Sequence, residues 1–240
     1  MESRNPAATS SRFISGRKRI SADDLAYFEL RDLLSSGELP PEEQISEETL
    51  AELLGVSRTP LRAALTRLRF EGLIDRATNG RLFVPPVSVE DAAQLFAVRI
   101  ALEELALEAG FLHVDQDMLA VMRSFIEQMG VLRGVSAREV GLYGGEFHGV
   151  LYKAGGNPLN LALLAQLQGR IDRYRFLSTG TGQERQDKAI EEHRQILAAI
   201  EQRDLPGAKA ALRAHLEGAL ASVQNAIRAQ SVSHEISQKV

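Results

Sequence analysis

Four arginines, Arg58, Arg62, Arg67 and Arg69, stand in the run GVSRTPLRAALTRLRFEGLI, which holds no acid between Leu53 and Phe70. A guanidinium is a planar fork of donors that suits a phosphate oxygen or, bidentately, the edge of guanine. On a helical wheel starting at Ser57, the residues Leu61, Ala64, Leu65 and Leu68 form one apolar stripe. Arg58, Thr59, Arg62, Thr66 and Arg69 fall within roughly 100° of arc on a neighbouring face, and Arg67 points away. Three forks and two hydroxyls on one face suit a nucleic-acid backbone and groove. Taken alone, the run is also compatible with an ordinary solvated helix.

The flanking segments decide how that face is presented. SADDLAYFELRDLLSSG reads as a helix capped by Ser21, with Asp23 and Asp24 at its positive end and Gly37 as its stop. ELPPEEQ reads as a turn. A short helix capped by Ser46, a turn at Gly55 and a second helix capped by Ser57 follow, with Pro60 in a first turn where its missing N–H costs nothing. Two short strands around Asn79 and Gly80 then form a hairpin flanked by Arg76 and Arg81. Three helices and a hairpin within residues 18–86 are the layout of a winged helix-turn-helix. In that motif the start of the second helix of the pair enters the major groove, which selects Arg58, Thr59 and Arg62.

VPPVS, at 84–88, reads as a linker, and helices are expected near 88–112, 115–133, 136–154, 157–178, 184–203 and 206–229. The expected class is mainly α: a winged helix-turn-helix and an all-α six-helix domain at 87–230, with tails at 1–17 and 231–240. The chain has 28 Lys+Arg against 32 Asp+Glu, a net charge of -4. Residues 1–86 carry 12 Lys+Arg and 13 Asp+Glu, so basic character is confined to one surface rather than spread over a domain. There is no Cys, which excludes disulfide and thiolate chemistry. The absence of a leader pattern or a membrane-length apolar run predicts a cytoplasmic protein.

LPPEEQISEETLAELLGVSRTPLRAALTRLRFEGLI closely resembles the N-terminal signature of GntR-family transcriptional regulators. The resemblance implies a DNA reader whose recognition helix begins at Ser57, Arg58, Thr59 and Arg62, with Asn79, Gly80 and Arg81 at a wing tip reaching the minor groove. One position often occupied by Arg in that family is Glu48 here. FAVRIALEELALEAG, EFHGVLYKAGGNPL, EEHRQILAAIEQRD and AHLEG are similar, in order, to the FCD subgroup, named for the C-terminal domain of the fatty-acid-responsive regulator. That resemblance implies a homodimerising bundle with a pocket for a small organic effector, often a carboxylate. It also implies a divalent metal held by one Asp and three His, here His148, His193 and His215.

Helical spacing puts His193 on the stripe of Ala189, Ile190, Ile196, Leu197 and Ile200, and His215 on that of Leu205, Ala208, Leu212 and Ala219. Inward imidazoles are either metal ligands or core histidines hydrogen-bonded to neighbours. The expected Asp, one turn before His148, is Gly144, in a run with Gly141, Gly145 and Gly149. A three-His site for Zn or Ni, completed by water or an effector carboxylate, remains chemically sound. For the effector the resemblance points to Arg99, and less directly to Arg173 and Tyr174. An exposed Arg99–Glu103 pair at i,i+4 is the competing reading for Arg99.

The functional expectation is a ligand-responsive repressor that binds an inverted-repeat operator as a homodimer and is not an enzyme. The alternatives are a metalloenzyme using the three histidines and a dedicated metal sensor.

Overall fold

The computed structural model describes residues 20–42 and 44–237, with side chains through residue 230. The tail expected at 1–17 lies outside them, as do residues 238–240. The reading domain comprises α1 (Ala22–Ser36), β1 (Gln44–Ile45), α2 (Glu47–Leu54), α3 (Arg58–Phe70), β2 (Asp75–Arg76) and β3 (Leu82–Phe83). Then come α4 (Val89–Gly110), α5 (Gln116–Leu132), α6 (Ala137–Gly155), α7 (Pro158–Thr179), α8 (Gln183–Glu201) and α9 (Leu205–Ser237).

Side chains fix most of these starts by satisfying the orphan N–H groups of the first turn. Ser21, Ser46, Ser88, Asp115, Ser136 and Asn157 each accept from a backbone N–H two or three residues on. Ser57 does not: it stands at the cap position of α3, but its side chain makes no capping bond, which corrects the sequence reading. Gly55, at φ 62°, supplies the left-handed residue that turns the chain between α2 and α3.

The sheet runs in the order β1–β3–β2, antiparallel throughout. β1 falls where the sequence reads as a turn: Gln44 and Ile45 pair with Phe83 and Leu82. In the hairpin only Gly80 takes a positive φ, 84°. Asn79 acts instead through its side chain, whose Oδ1 accepts from the Arg81 N–H at 3.0 Å.

Leu30, Leu34, Leu50, Leu61, Leu68, Leu73 and Leu82 centre the core of the reading domain, and a larger core fills the bundle. The two parts meet along α7. Arg31 Nη2 donates to Asp172 Oδ2 at 2.8 Å, and Arg173 Nη2 donates to the Pro85 carbonyl of the linker at 2.7 Å. Leu73 presses on Gly169, where a Cβ would come within 2.3 Å of Leu73 Cδ1. Among the described residues no helix is long and apolar enough to cross a membrane.

Candidate nucleic-acid interface and candidate metal centre

The arginines of α3 divide as the wheel predicts. Arg67, on the far side, donates to Asp24 Oδ1 at 2.7 Å and lies 3.7 Å over the Tyr27 ring. Arg58 and Arg62 are exposed, and each is held by an acid from the start of α2: Arg58 by Glu48 at 3.1 Å, Arg62 by Glu47 at 2.8 Å. Glu47 also takes Arg76 of the wing at 2.8 Å, so one carboxylate links the recognition helix to the hairpin. The hydrogen bonds from Arg62 and Arg76 hold that carboxyl below its ordinary pKa. Arg76 Nη1 braces the wing tip at the Gly80 carbonyl, 2.7 Å away. Ser57, Thr59, Arg69 and Arg81 stay exposed on the same domain. Glu48, which stands where an arginine is common in the resembled family, pairs with Arg58 at the surface.

The second cluster is buried. His148 comes from α6, His193 from α8 and His215 from α9; they are 1%, 2% and 5% exposed. One imidazole nitrogen of each lies within 4.8 Å of the others. Their outer nitrogens face acceptors. His193 Nδ1 is 2.6 Å from the Ala189 carbonyl, and His215 Nδ1 is 2.8 Å from Glu192 Oε2. His148 Nδ1 lies 2.7 Å from Glu103 Oε2, close but misaligned for a hydrogen bond, so both atoms stay formally unsatisfied.

Burial holds all three imidazoles below the ordinary histidine pKa, His193 and His215 well below it, and for His148 it outweighs the pull of Glu103. The rings are therefore neutral near pH 7. A neutral ring facing an acceptor at Nδ1 keeps its proton there, which leaves the lone pair on Nε2. His148 Nε2 and His215 Nε2 lie 3.3 Å apart, and buried His193 Nε2 has no partner. Two nitrogens bound about 2.0–2.1 Å from one tetrahedral ion sit roughly 3.4 Å apart, so the residues present fit a metal.

Acids and arginines continue the cluster outwards on both sides. Arg99 Nε donates to Glu103 Oε1 at 2.6 Å, and Arg185 Nη1 donates to Glu192 Oε2 at 3.0 Å. Burial alone would raise the Glu103 pKa, yet His148 and Arg99 hold it well below the ordinary carboxyl value. The Arg99–Glu103 pair anticipated for an exposed face is thus real, but it is core: Arg99 is 2% exposed and Glu103 1%. Gly144 faces the cluster directly, since a Cβ there would sit 3.6 Å from His193 Nε2. Glu146 points outward, as its offset from His148 requires.

The cavity beside the histidines measures about 30 Å³, and Arg99, Arg175 and Arg185 line it. Arg173 and Tyr174 do not. Arg173 binds the linker, and the Tyr174 hydroxyl donates to Asp91 Oδ2 at 2.7 Å, which ties α7 to the start of α4. Arg175 is two residues past Arg173 and so on the opposite side of α7, a choice that spacing alone cannot make. The glycines of α6 carry the missing signal: Gly141 and Gly145 leave the space that the Arg175 side chain occupies.

Residues 24–84 match the bacterial regulatory proteins of the gntR family, and residues 94–218 match the FCD domain. A regulator of Streptomyces ambofaciens, named as an uncharacterized HTH-type transcriptional regulator in an unstable DNA locus, is 30% identical over 85% of this chain and 86% of its own length. The "Probable D-xylose utilization operon transcriptional repressor" of Paenarthrobacter nicotinovorans is 27% identical over 83% and 88%. The solved structure of E. coli McbR/YncC superposes with a TM-score of 0.77 at 23% identity, covering 86% of this chain and 98% of that one. These are families of regulators and not of enzymes. The chain therefore belongs to the gntR family of bacterial regulatory proteins, and is a DNA-binding transcriptional regulator with an FCD domain.

Proposed function

We propose that this regulator is a ligand-responsive cytoplasmic repressor, working as a homodimer on an inverted-repeat operator and holding a divalent cation at His148, His193 and His215. The observation that carries the metal reading is the clustering of the three buried imidazoles, which offer ligand atoms within 4.8 Å of one another while each Nδ1 faces an oxygen. A carboxylate or carbonyl on the outer nitrogen is the usual support of a metal-binding histidine. Zn or Ni suits such a donor set, and when bound it supplies charge and open positions for an acidic ligand.

The space left by Gly144 and the arginines around it favour a carboxylate there. A cavity of about 30 Å³ holds little more than a water, so an organic effector enters only as the bundle opens, and that opening is the signal. Ser57, Arg58, Thr59 and Arg62 contact the major groove, while Asn79, Gly80 and Arg81 reach the minor groove at the wing. Exposed Val98 and Leu105 of α4 and Leu159 and Leu163 of α7, two helices joined by the Asn160–Leu102 hydrogen bond, offer apolar surface for a partner copy. The name of the D-xylose relative supports repression.

Native mass spectrometry with metal analysis tests these readings together. The expected result is a dimer carrying one divalent ion per chain, which His193→Ala removes. A monomer with and without DNA would overturn the dimer, and metal-free protein that binds no added Zn or Ni would overturn the ion.

A further inference from the structure

Glu47, at the start of α2, stands between the recognition helix and the wing, and each of its carboxylate oxygens is taken by a different arginine. Oε2 accepts from Arg62 Nε at 2.8 Å, and Oε1 accepts from Arg76 Nη2 at 2.8 Å. Arg76 is anchored in turn, since its Nη1 donates to the Gly80 carbonyl at the wing tip. A lone surface pair contributes little, but these three charges form a network, and the Glu47 side chain is only 20% exposed. The wing therefore helps to fix the carboxylate that Arg62 meets.

Which nitrogen Arg62 gives to that carboxylate decides what remains for DNA. The bond uses Nε, and among the described residues neither Nη atom has a hydrogen-bond partner. The exposed guanidinium thus presents its two terminal N–H groups as an open fork. Two parallel donors are what N7 and O6 of guanine accept in the major groove. Arg58 differs: Glu48 takes its Nη2, one end of the fork, and among the described residues no second arginine holds Glu48. An arginine drawn to a phosphate leaves its acid, which any DNA sequence allows. Arg62 meeting guanine end-on keeps Glu47 and gains two bonds, which only a guanine in register allows. A side chain held by a neighbour in its binding geometry loses less entropy on contact, so the bias favours the base.

We propose that Glu47 is a positioning residue through which the wing sets Arg62 for a guanine, so that helix and wing read DNA as one unit. The role rests on the reading of α3 as the helix that enters the major groove. To that reading it adds the base that Arg62 takes and the acid that aims the fork. Discrimination at that base pair then depends on Glu47 and Arg76, neither of which touches it.

Sites selected by the full chain from a random duplex library supply the target. Each guanine of the selected site is then replaced singly by 7-deazaguanine, which lacks the N7 acceptor but still pairs with cytosine, and affinities are compared at matched salt. At one guanine per half-site the replacement should weaken the wild type about tenfold, and it should leave Arg62→Ala unaffected. Glu47→Gln and Arg76→Ala should each remove most of that penalty, and the double variant should remove no more than either alone. Glu48→Gln should keep the penalty, and unchanged melting temperatures show that the folds are intact. The proposal is overturned if no site is enriched, or if no guanine is sensitive in the wild type yet insensitive in Arg62→Ala. It is equally overturned if the Glu47 and Arg76 variants keep the full penalty or weaken every duplex by one common factor. Failure of the α3 reading looks different: Arg62→Ala would then bind every duplex as tightly as the wild type. A uniform loss in Arg62→Ala would leave that reading standing, with Arg62 on a phosphate, and would sink only the guanine.

Discussion

The reading surface and the bundle core both organise arginine with glutamate, and they use the pair in opposite ways. On α3 the pairs Arg58–Glu48 and Arg62–Glu47 are solvated, with both arginine side chains more than 60% exposed. Such pairs are worth about 0–1 kcal/mol and are easily exchanged for a phosphate. In the core, Arg99–Glu103 and Arg185–Glu192 are shielded from water and abut the histidines. Removing one partner there strands a charge, at roughly 3–5 kcal/mol. The same chemistry is a loose rest position outside and a rigid scaffold inside. Solvated pairs can release their arginines to DNA, as proposed for α3, whereas the buried pairs hold the imidazoles in place.

Glu103→Ala should break the comparison most severely. It leaves Arg99 buried without its acid and His148 without its outer partner, so stability in denaturant should fall by about 3–5 kcal/mol. A fall below about 1 kcal/mol would mean that the core pair is no more than a surface pair. Arg62→Ala should cost about 1–3 kcal/mol in operator affinity at matched salt while the melting temperature stays put. Unchanged affinity takes Arg62 off the list of contacts.

Gly144→Asp sharpens the core side. Its Cβ fits at ordinary contact distance from His193, on the side of the ring that carries Nε2. Divalent metal affinity should rise tenfold or more, about 1.4 kcal/mol, by calorimetry, and no metal binding by either protein would overturn the three-His reading. The pH response of metal-free protein follows from the same burial. With folded pKa values depressed below 6.5, the unfolded chain binds more protons, so stability should drop as pH falls below about 6.5. A flat profile between pH 7 and 5 would contradict neutral buried histidines. Glu47→Gln should have the smallest effect, within about 1 kcal/mol of stability, and should free Arg62 and Arg76 together. Loss of the folded wing by NMR would show that Glu47 is structural after all.

Much of this was legible in the sequence because helix ends are local events. Ser88, Asp115, Ser136 and Asn157 announce starts, and Gly156 and Gly180 mark ends, without reference to the rest of the fold. β1 was not legible, since Gln44 and Ile45 become a strand only by pairing with residues nearly forty positions later. The histidines could be placed on inward stripes, but Glu103 and Glu192 look like any helical acid until three helices meet around them. Arg175 could not be told from Arg173 for a similar reason. What distinguishes them is the absence of side chains on a different helix.

Gly169 shows how finely the two halves are adjusted. The reader bears on α7 through Leu73, and the clearance there is less than one methyl group. The contact between reader and bundle at this point is therefore close-packed side chain against bare backbone. Adding a single carbon at position 169 would oblige the Leu73 side chain to move before any residue that faces DNA had changed.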